Sequence, residues 1–449
     1  MKRRDFLTAG SIGVGASLLA PSVVAAQEPS PTPSSAEPTR WEESYSGGPE
    51  GVAPLPPGLP GKDYMPVTIP NGEALPFKIV DGVKVFHLIA EKVEHEFAPG
   101  LVAHCWGYNG RVNATVIEAV EGERIRIYVT NKLDVPTSAH WHGIFLPNGM
   151  DGVAGVTQAP IYPGETFKYE WTLRQHGTYM YHSHYDPMTQ EGMGMTGMFI
   201  IHPRVAGEDH VVDRDFVLLS NEYAIAPGTR RPDPFEMSDF NVLTFNGRAF
   251  PGTDALVVKK GERVRIRFGN LSAMDHHPIH LHGYKFKVTA TDGGKIPLAA
   301  QIAETTVLVS VGQTRDIEFV ADVEGDWIMH CHMTHHTMTQ MGHDLPNMVG
   351  ADTDEMESAV RSLLPGYMAM GQGGMADMAM MNMTVPENSI PMRGVPLQFG
   401  RSTAGGMFTM LKVRETLTSY DDPGWFKNPR GTVSSVASQA ELLNDGIPV

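Results

Sequence analysis

The chain reads as an all-β protein built from two similar β-sandwiches. An internal duplication, period-2 alternation inside each copy, and short strand-like runs punctuated by Gly and Pro carry that reading. Gly122-Glu123-Arg124-Ile125-Arg126-Ile127 returns as Gly261-Glu262-Arg263-Val264-Arg265-Ile266, an offset of 139, and His140-Trp141-His142-Gly143 returns as His280-Leu281-His282-Gly283, an offset of 140. Gly177-Thr178-Tyr179-Met180-Tyr181-His182-Ser183-His184 returns as Gly325-Asp326-Trp327-Ile328-Met329-His330-Cys331-His332, an offset of 148, so one loop insertion separates the copies. Ile125, Ile127 and Val129, and their counterparts Val264, Ile266 and Phe268, alternate with polar or bulky residues expected at the surface.

Length and composition bound the rest. A chain of 449 residues fits two to three compact units of about 150 residues each. Hydrophobic residues at 41% and charged residues at 19% suit a globular protein with a sizeable core rather than a disordered one. The formal net charge of -16 disfavours nucleic acid or anionic lipid as a partner. Two cysteines, Cys105 and Cys331, exclude a disulfide framework. The 26 Met and 19 His supply the soft and borderline ligands that copper takes.

In chain order, residues 1–26 read as an export signal of twin-arginine type: Lys2-Arg3-Arg4-Asp5-Phe6-Leu7, an apolar stretch, then small residues at Val24-Ala25-Ala26. Thr8 to Ala20 is shorter than the roughly 20 residues that span a bilayer, which argues against an anchor, and no other segment is long and apolar enough to cross one. The signal implies a periplasmic or otherwise exported protein. Residues 27–62 form a leader dense in Pro, Ser, Gly and Glu. The first sandwich is expected over 63–205 and the second over 206–350. Residues 351–449 form an extension with a helical-looking acidic stretch (352–364), a Met-rich segment (366–392) and one strand-like run, Met407 to Val413, whose packing partner stays open.

The chemistry lies in histidines. Two residues at i and i+2 on a strand project side by side, about 6.6 Å apart. The spacing occurs four times, at His140/His142, His182/His184, His280/His282 and His330/His332. A single pair is often an ordinary surface pair. Eight imidazoles converging without a metal would bury polar rings at about 1–3 kcal/mol for each unsatisfied group. Cys331 sits between His330 and His332, so its sulfur faces the opposite side of the strand, where His277, His336 and Met341 offer two imidazoles and a thioether. Two imidazoles, a thiolate and a weak axial thioether make a blue-copper site.

In order and spacing, His140-Trp141-His142-Gly143, His182-Ser183-His184, His277-Pro278-Ile279-His280-Leu281-His282-Gly283, and His330-Cys331-His332 followed by His336 and Met341 resemble the multicopper oxidases, the laccase-like cupredoxin enzymes. The resemblance covers about residues 75–345 and implies two cupredoxin-like Greek-key sandwiches. It implies type 1 copper on His277, Cys331, His336 and Met341, and type 2 copper on His140 and His280. One type 3 copper falls to His142, His182 and His332, the other to His184, His282 and His330. The separation from His184 to His277 leaves no room for a middle domain, so the chain resembles the two-domain small laccases, which form homotrimers with clusters shared between subunits. The first copy has lost the blue site: Thr137, Ser183, Met188 and Met193 stand where His277, Cys331, His336 and Met341 stand in the second.

The implied activity takes electrons singly from a small-molecule reductant at type 1 copper and uses four to reduce O2 to water. His330-Cys331-His332 is the electron path, and His336, expected near the surface, its entry point. Asp151 matches the family carboxylate that relays protons near the type 2 copper, and reads alternatively as a turn residue beside Gly152. Thr337 stands where some members carry a second acid. The reductant is a phenol or aromatic amine, or else Cu(I), for which Met368, Met370, Met375, Met378, Met380, Met381, Met383 and Met392 offer thioethers; gap-filling in a core is the alternative role for those methionines. A copper nitrite reductase would keep its blue site in the first copy, where Ser183 stands, and a sequestering protein would not need the His330-Cys331-His332 coupling.

Overall fold

The structure, a computed structural model, describes residues 53–448 apart from 206, 208–210, 341–353, 364–379, 381–385 and 391–393. The expected signal, most of the leader, Met341 and most of the Met-rich segment lie outside the described residues.

The first sandwich contains β1 (Glu73–Ala74), β2 (Phe77–Val80), β3 (Val83–Ala98), β4 (Leu101–Tyr108), β5 (Thr115–Val120), β6 (Arg124–Asn131), β7 (His140–His142), β8 (Thr166–Thr172), β9 (Gly177–His182) and β10 (Thr196–His202). One sheet runs β1-β5-β10-β9-β7; the other runs β2-β3-β6-β8, with β4 paired to β3. A short helix, α1 (Pro187–Gly192), links β9 to β10.

The second sandwich contains β11 (Arg214–Tyr223), β12 (Val242–Phe245), β13 (Leu256–Lys259), β14 (Arg263–Asn270), β15 (His277–Leu281), β16 (Phe286–Thr291), β17 (Gly294–Lys295), β18 (Ala303–Glu304), β19 (Thr306–Val309), β20 (Thr314–Val320) and β21 (Gly325–Cys331). After α2 (Asp354–Leu363), on the acidic stretch, come β22 (Val395–Leu397), β23 (Gly400–Ser402), β24 (Phe408–Arg414) and α3 (Gln439–Asn444). The strand-like run at Met407 to Val413 finds its partners here: β24 pairs parallel with β13 and antiparallel with β21, completing the sheet β13-β24-β21-β15-β19. It occupies the place that β10 holds between β5 and β9 in the first sandwich. The second sandwich therefore takes a strand from beyond residue 350.

Alternation does the packing. Ile125, Ile127 and Val129 are buried in the first core with Trp141, Trp171 and Phe199, and Val264, Ile266 and Phe268 in the second with Leu256, Ile279 and Leu411. The polar side of β14 departs from expectation. Arg265 and Arg267 are buried, at 6% and 4% exposure, because that face packs toward the first sandwich instead of water. Arg267 pairs with Asp215 at 2.8 Å and donates to Thr178 Oγ1 of the first sandwich at 2.8 Å, while Thr178 donates to Asp316 at 2.7 Å. Buried charges persist only when paired in this way; the carboxylates of Asp215, Asp316 and Glu318 hold Arg267 protonated despite its burial.

Candidate metal centre

The histidine pairs sit at the same places in both sandwiches. In the first, β7 and β9 run antiparallel with His140 opposite His182. In the second, β15 and β21 run antiparallel with His280 opposite His330. Trp141, between His140 and His142, turns inward to fix the strand, packing edge-on to Tyr169 and tilted against Trp171. The four rings of the first set lie 5.3–6.0 Å apart between neighbouring centroids and the four of the second 4.8–5.8 Å. His142 Nδ1 stands 3.3 Å from His182 Nε2, and His282 Nε2 3.2 Å from His330 Nε2. Imidazole nitrogens on one tetrahedral ion at about 2.0–2.1 Å stand about 3.3 Å apart, so both pairs fit a shared metal. Among the described residues no ring contact joins the two sets. His282 and His332 are exposed in the single chain.

Hydrogen bonds on the far nitrogens aim the rings. His140 Nδ1 donates to the carbonyl of Asp151 at 2.8 Å, with the Asp151 carboxylate 3.4 Å away. Asp151 closes the 3-10 turn Asn148–Met150, so its main chain makes the turn while its side chain approaches the ligand set. His280 Nδ1 meets the Thr305 carbonyl at 2.7 Å, and His330 Nδ1 the Cys331 carbonyl at 2.8 Å. Burial lowers the pKa of His140, His142, His282 and His330, reinforced by neighbouring imidazoles. Neutral rings are the form that binds metal. His182 is the exception: burial opposes its charge, but Glu191 outweighs it and raises the pKa.

The second donor set lies on the reverse face of β21. Cys331 Sγ is 3.4 Å from His336 Nδ1 and 3.8 Å from His277 Nδ1, and the two nitrogens are 3.1 Å apart. All three residues are buried. Asn270 frames the approach to His277, donating to the carbonyls of Asp275 and Val309 and accepting from Ser272 N. Ser272 Oγ in turn meets His277 Nε2 at 2.6 Å. His336 lies under Asp275 rather than open to solvent: it is 6% exposed, and its Nε2 is 3.3 Å from Asp275 Oδ2. Glu222 staples that loop by accepting from the amides of Met274 and Asp275, and its own burial pushes its pKa up to about 8. Burial likewise pushes the Cys331 thiol up to about 12; a cation in the site reverses that preference and holds the thiolate. The chain leaves this set at His336 and returns beside it, where Met407 N donates to the His336 carbonyl at 2.9 Å. Cys105 is a free, buried thiol that lies outside both sets.

Asp275, Ser272, Glu222, Gln190 and Glu191 are supporting residues that sequence reasoning missed. Asp275 carried a faint signal, an acid two positions before a ligand. The others reach the sites only through the fold.

Residues 90–206 and 227–350 each match the sequence pattern of a multicopper oxidase domain, together more than half of the chain. Copper resistance protein A of Pseudomonas syringae pv. tomato is 32% identical over 232 residues, covering 41% of this chain and 38% of that protein. Laccase-1 of Botryotinia fuckeliana is 32% identical over 248 residues, covering 51% and 42%. The chain thus spans about two fifths of the length of these relatives. Among solved structures, the multicopper oxidase mgLAC superimposes with a TM-score of 0.55 at 26% identity, covering 75% of this chain and 87% of that one. Paired histidines repeated on two sandwiches, a cysteine between the last pair, and these matches lead to one assignment: the chain belongs to the multicopper oxidases, as a two-domain, laccase-like, copper-binding member.

Proposed function

We propose that the protein couples one-electron oxidation of a reducing substrate to four-electron reduction of O2 to water. The observation that carries this is the covalent run His330-Cys331-His332, which presents sulfur to one donor set and two imidazoles to the other. When bound, copper supplies one-electron redox steps and O2 binding, with one type 1, one type 2 and two type 3 ions per site. His277, Cys331, His336 and Met341 would hold type 1 and His140 and His280 type 2. His142, His182 and His332 would hold one type 3 ion, and His184, His282 and His330 the other. Asp151 would pass protons inward, a role supported by its position beside His140 and its partial exposure to solvent.

The complete cluster forms between subunits of a homotrimer, the second sandwich of one chain meeting the first of the next. Three observations support this. The two imidazole sets of one chain make no ring contact, His282 and His332 are exposed, and exposed apolar residues flank both sets: Phe145, Tyr185 and Met188 beside the first, Leu308 beside the second. Beyond Phe426 none of the described residues has a buried side chain, and Val436, Leu443 and Ile447 are exposed.

The reductant is a phenol or aromatic amine, or Cu(I). The Cu(I) reading is supported by the path of the chain, because the methionines fall within the excursion between His336 and Met407, two residues joined by a backbone hydrogen bond at the type 1 set. Export by the twin-arginine route, from Lys2-Arg3-Arg4-Asp5-Phe6-Leu7, suits a protein that folds around its metal first. Oxygen uptake by the copper-loaded protein, with Cu(I) against a dimethoxyphenol, tests both readings. Turnover with neither reductant would refute the oxidase assignment, and unchanged Cu(I) oxidation after deleting residues 366–392 would remove the methionines from it.

A further inference from the structure

We propose that Glu191 is a positioning residue for the imidazole cluster: its carboxylate takes the Nδ1–H of His182 and leaves Nε2 of that ring free for the metal. The inference rests on the reading of His182 as a copper ligand.

The two sandwiches supply the argument. His182 and His330 are counterparts, and each donates Nδ1–H to the carbonyl of the next residue, Ser183 at 2.9 Å and Cys331 at 2.8 Å. Only His182 has a second acceptor, Glu191 Oε1 at 3.0 Å. His182 is 8% exposed, so a carboxylate there acts across a medium where charge counts for more than in water. The two acceptors leave Nε2 facing His142 Nδ1 across 3.3 Å, and a carboxylate behind a ligating imidazole both fixes its orientation and strengthens it as a donor.

The segment carrying Glu191 has a different task in the second copy. After Cys331 the chain turns through Thr334–Thr337 and delivers His336 to the sulfur. After Ser183 it forms α1, capped by Asp186, whose side chain accepts from Thr189 N. Gln190, 1% exposed, locks the rotation of α1: Thr137 Oγ1 at 2.7 Å and Ser183 Oγ both donate to its Oε1, and its Nε2 donates to the Pro136 carbonyl at 2.8 Å. The next residue along a helix points about 100° away. With Gln190 anchored in the pocket behind the strand, Glu191 is aimed at His182. The loop that brings a ligand to one copper site in the second sandwich braces a ligand of the other in the first.

The test uses full-length, copper-loaded protein and the variants Glu191→Ala, Glu191→Gln and Glu191→Asp. Copper per chain under a graded chelator and the spectra of the coupled copper pair are the readouts, with the blue band of the Cys331 site as internal reference. Glu191→Ala is expected to weaken retention at the coupled pair by about 10- to 100-fold while leaving the blue band intact. Glu191→Gln, which keeps an acceptor oxygen without the charge, should recover part of that loss, and Glu191→Asp less, being shorter by one methylene. Unfolding midpoints of the metal-free variants should fall only slightly, since the Glu191 side chain is 21% exposed, is bonded only to His182 among the described contacts, and leaves the Ser183 carbonyl as an acceptor for that ring. If the parent shows the coupled pair and Glu191→Ala retains it equally against chelator, the proposal fails while His182 stands as a ligand. If the parent shows no coupled pair, the ligand assignment fails and takes the brace with it.

Discussion

The pocket behind the histidine-bearing strands is built twice in this chain, with opposite contents. In both copies an asparagine at the end of the arginine-bearing strand frames the entrance. Asn131 donates to the carbonyls of Val135 and Ile161 and accepts from Leu133 N; Asn270 does the same with Asp275, Val309 and Ser272. Inside, the first copy places Thr137 and Ser183 3.3 Å apart, the second His277 and Cys331 3.8 Å apart. The third member differs from the expectation of a simple offset. Met188, the counterpart of His336 by spacing, is exposed, and Gln190 closes the first pocket instead. The first pocket satisfies its own polar groups, each bond worth about 0.5–1.5 kcal/mol net. The second gathers acceptors with few donors, an arrangement that becomes favourable when a cation enters. The framing is the same and the contents are exchanged: Thr137, Ser183 and Gln190 fill the cavity with a closed hydrogen-bond set in the first copy, and His277, Cys331 and His336 line it with candidate metal donors in the second.

The comparison breaks most visibly at its sulfur. Cys331→Ser turns the second pocket toward the first, and is expected to abolish the blue absorbance and lower O2 uptake by about 1,000-fold or more, about 4 kcal/mol; uptake within tenfold of the parent would refute the electron path. The reverse exchange, Thr137→His with Ser183→Cys and Gln190→His, should add a blue centre to the first sandwich, read as one additional copper per chain by metal analysis. Failure of a folded triple variant to bind it would show that framing alone does not make the site. Gln190→Leu keeps the bulk but strands the Thr137 and Ser183 hydroxyls and the Pro136 carbonyl, and should cost about 2–3 kcal/mol in urea unfolding with no change in the blue band.

The smallest effect concerns pH. Glu222 wraps only the second pocket, and burial raises its pKa from 4.5 to about 8. Between those values the unfolded chain has released a proton that the folded one keeps, so the stability of the metal-free protein falls as pH rises through that window. Glu222→Gln should flatten this slope in denaturant titrations at pH 5 and 8. A slope unchanged by the substitution would locate its origin elsewhere.

Much of this was legible in the chain. The i, i+2 histidines, the cysteine between the last pair and the duplication are local patterns, and strand geometry alone puts sulfur and imidazoles on opposite faces. Glu191 was hidden because its relation to His182 passes through α1, whose orientation is set by Gln190. The burial of Arg265 and Arg267 was hidden because alternation tells which residues share a face and not whether water or another sandwich covers it. The run that forms β24 was legible as a strand, but its place was hidden because a parallel partner such as β13, more than a hundred residues away, leaves no mark on local sequence.

By itself, then, the order of residues determined the all-β class, the twofold repeat and the chemistry of both donor sets, since periodicity and ligand type are properties of neighbours along the chain. Only the tertiary structure decided which strand closes the second sandwich, which side chains brace the imidazoles, and that Asp275 covers His336. Those depend on distances between segments far apart in sequence, which packing fixes and no short pattern encodes.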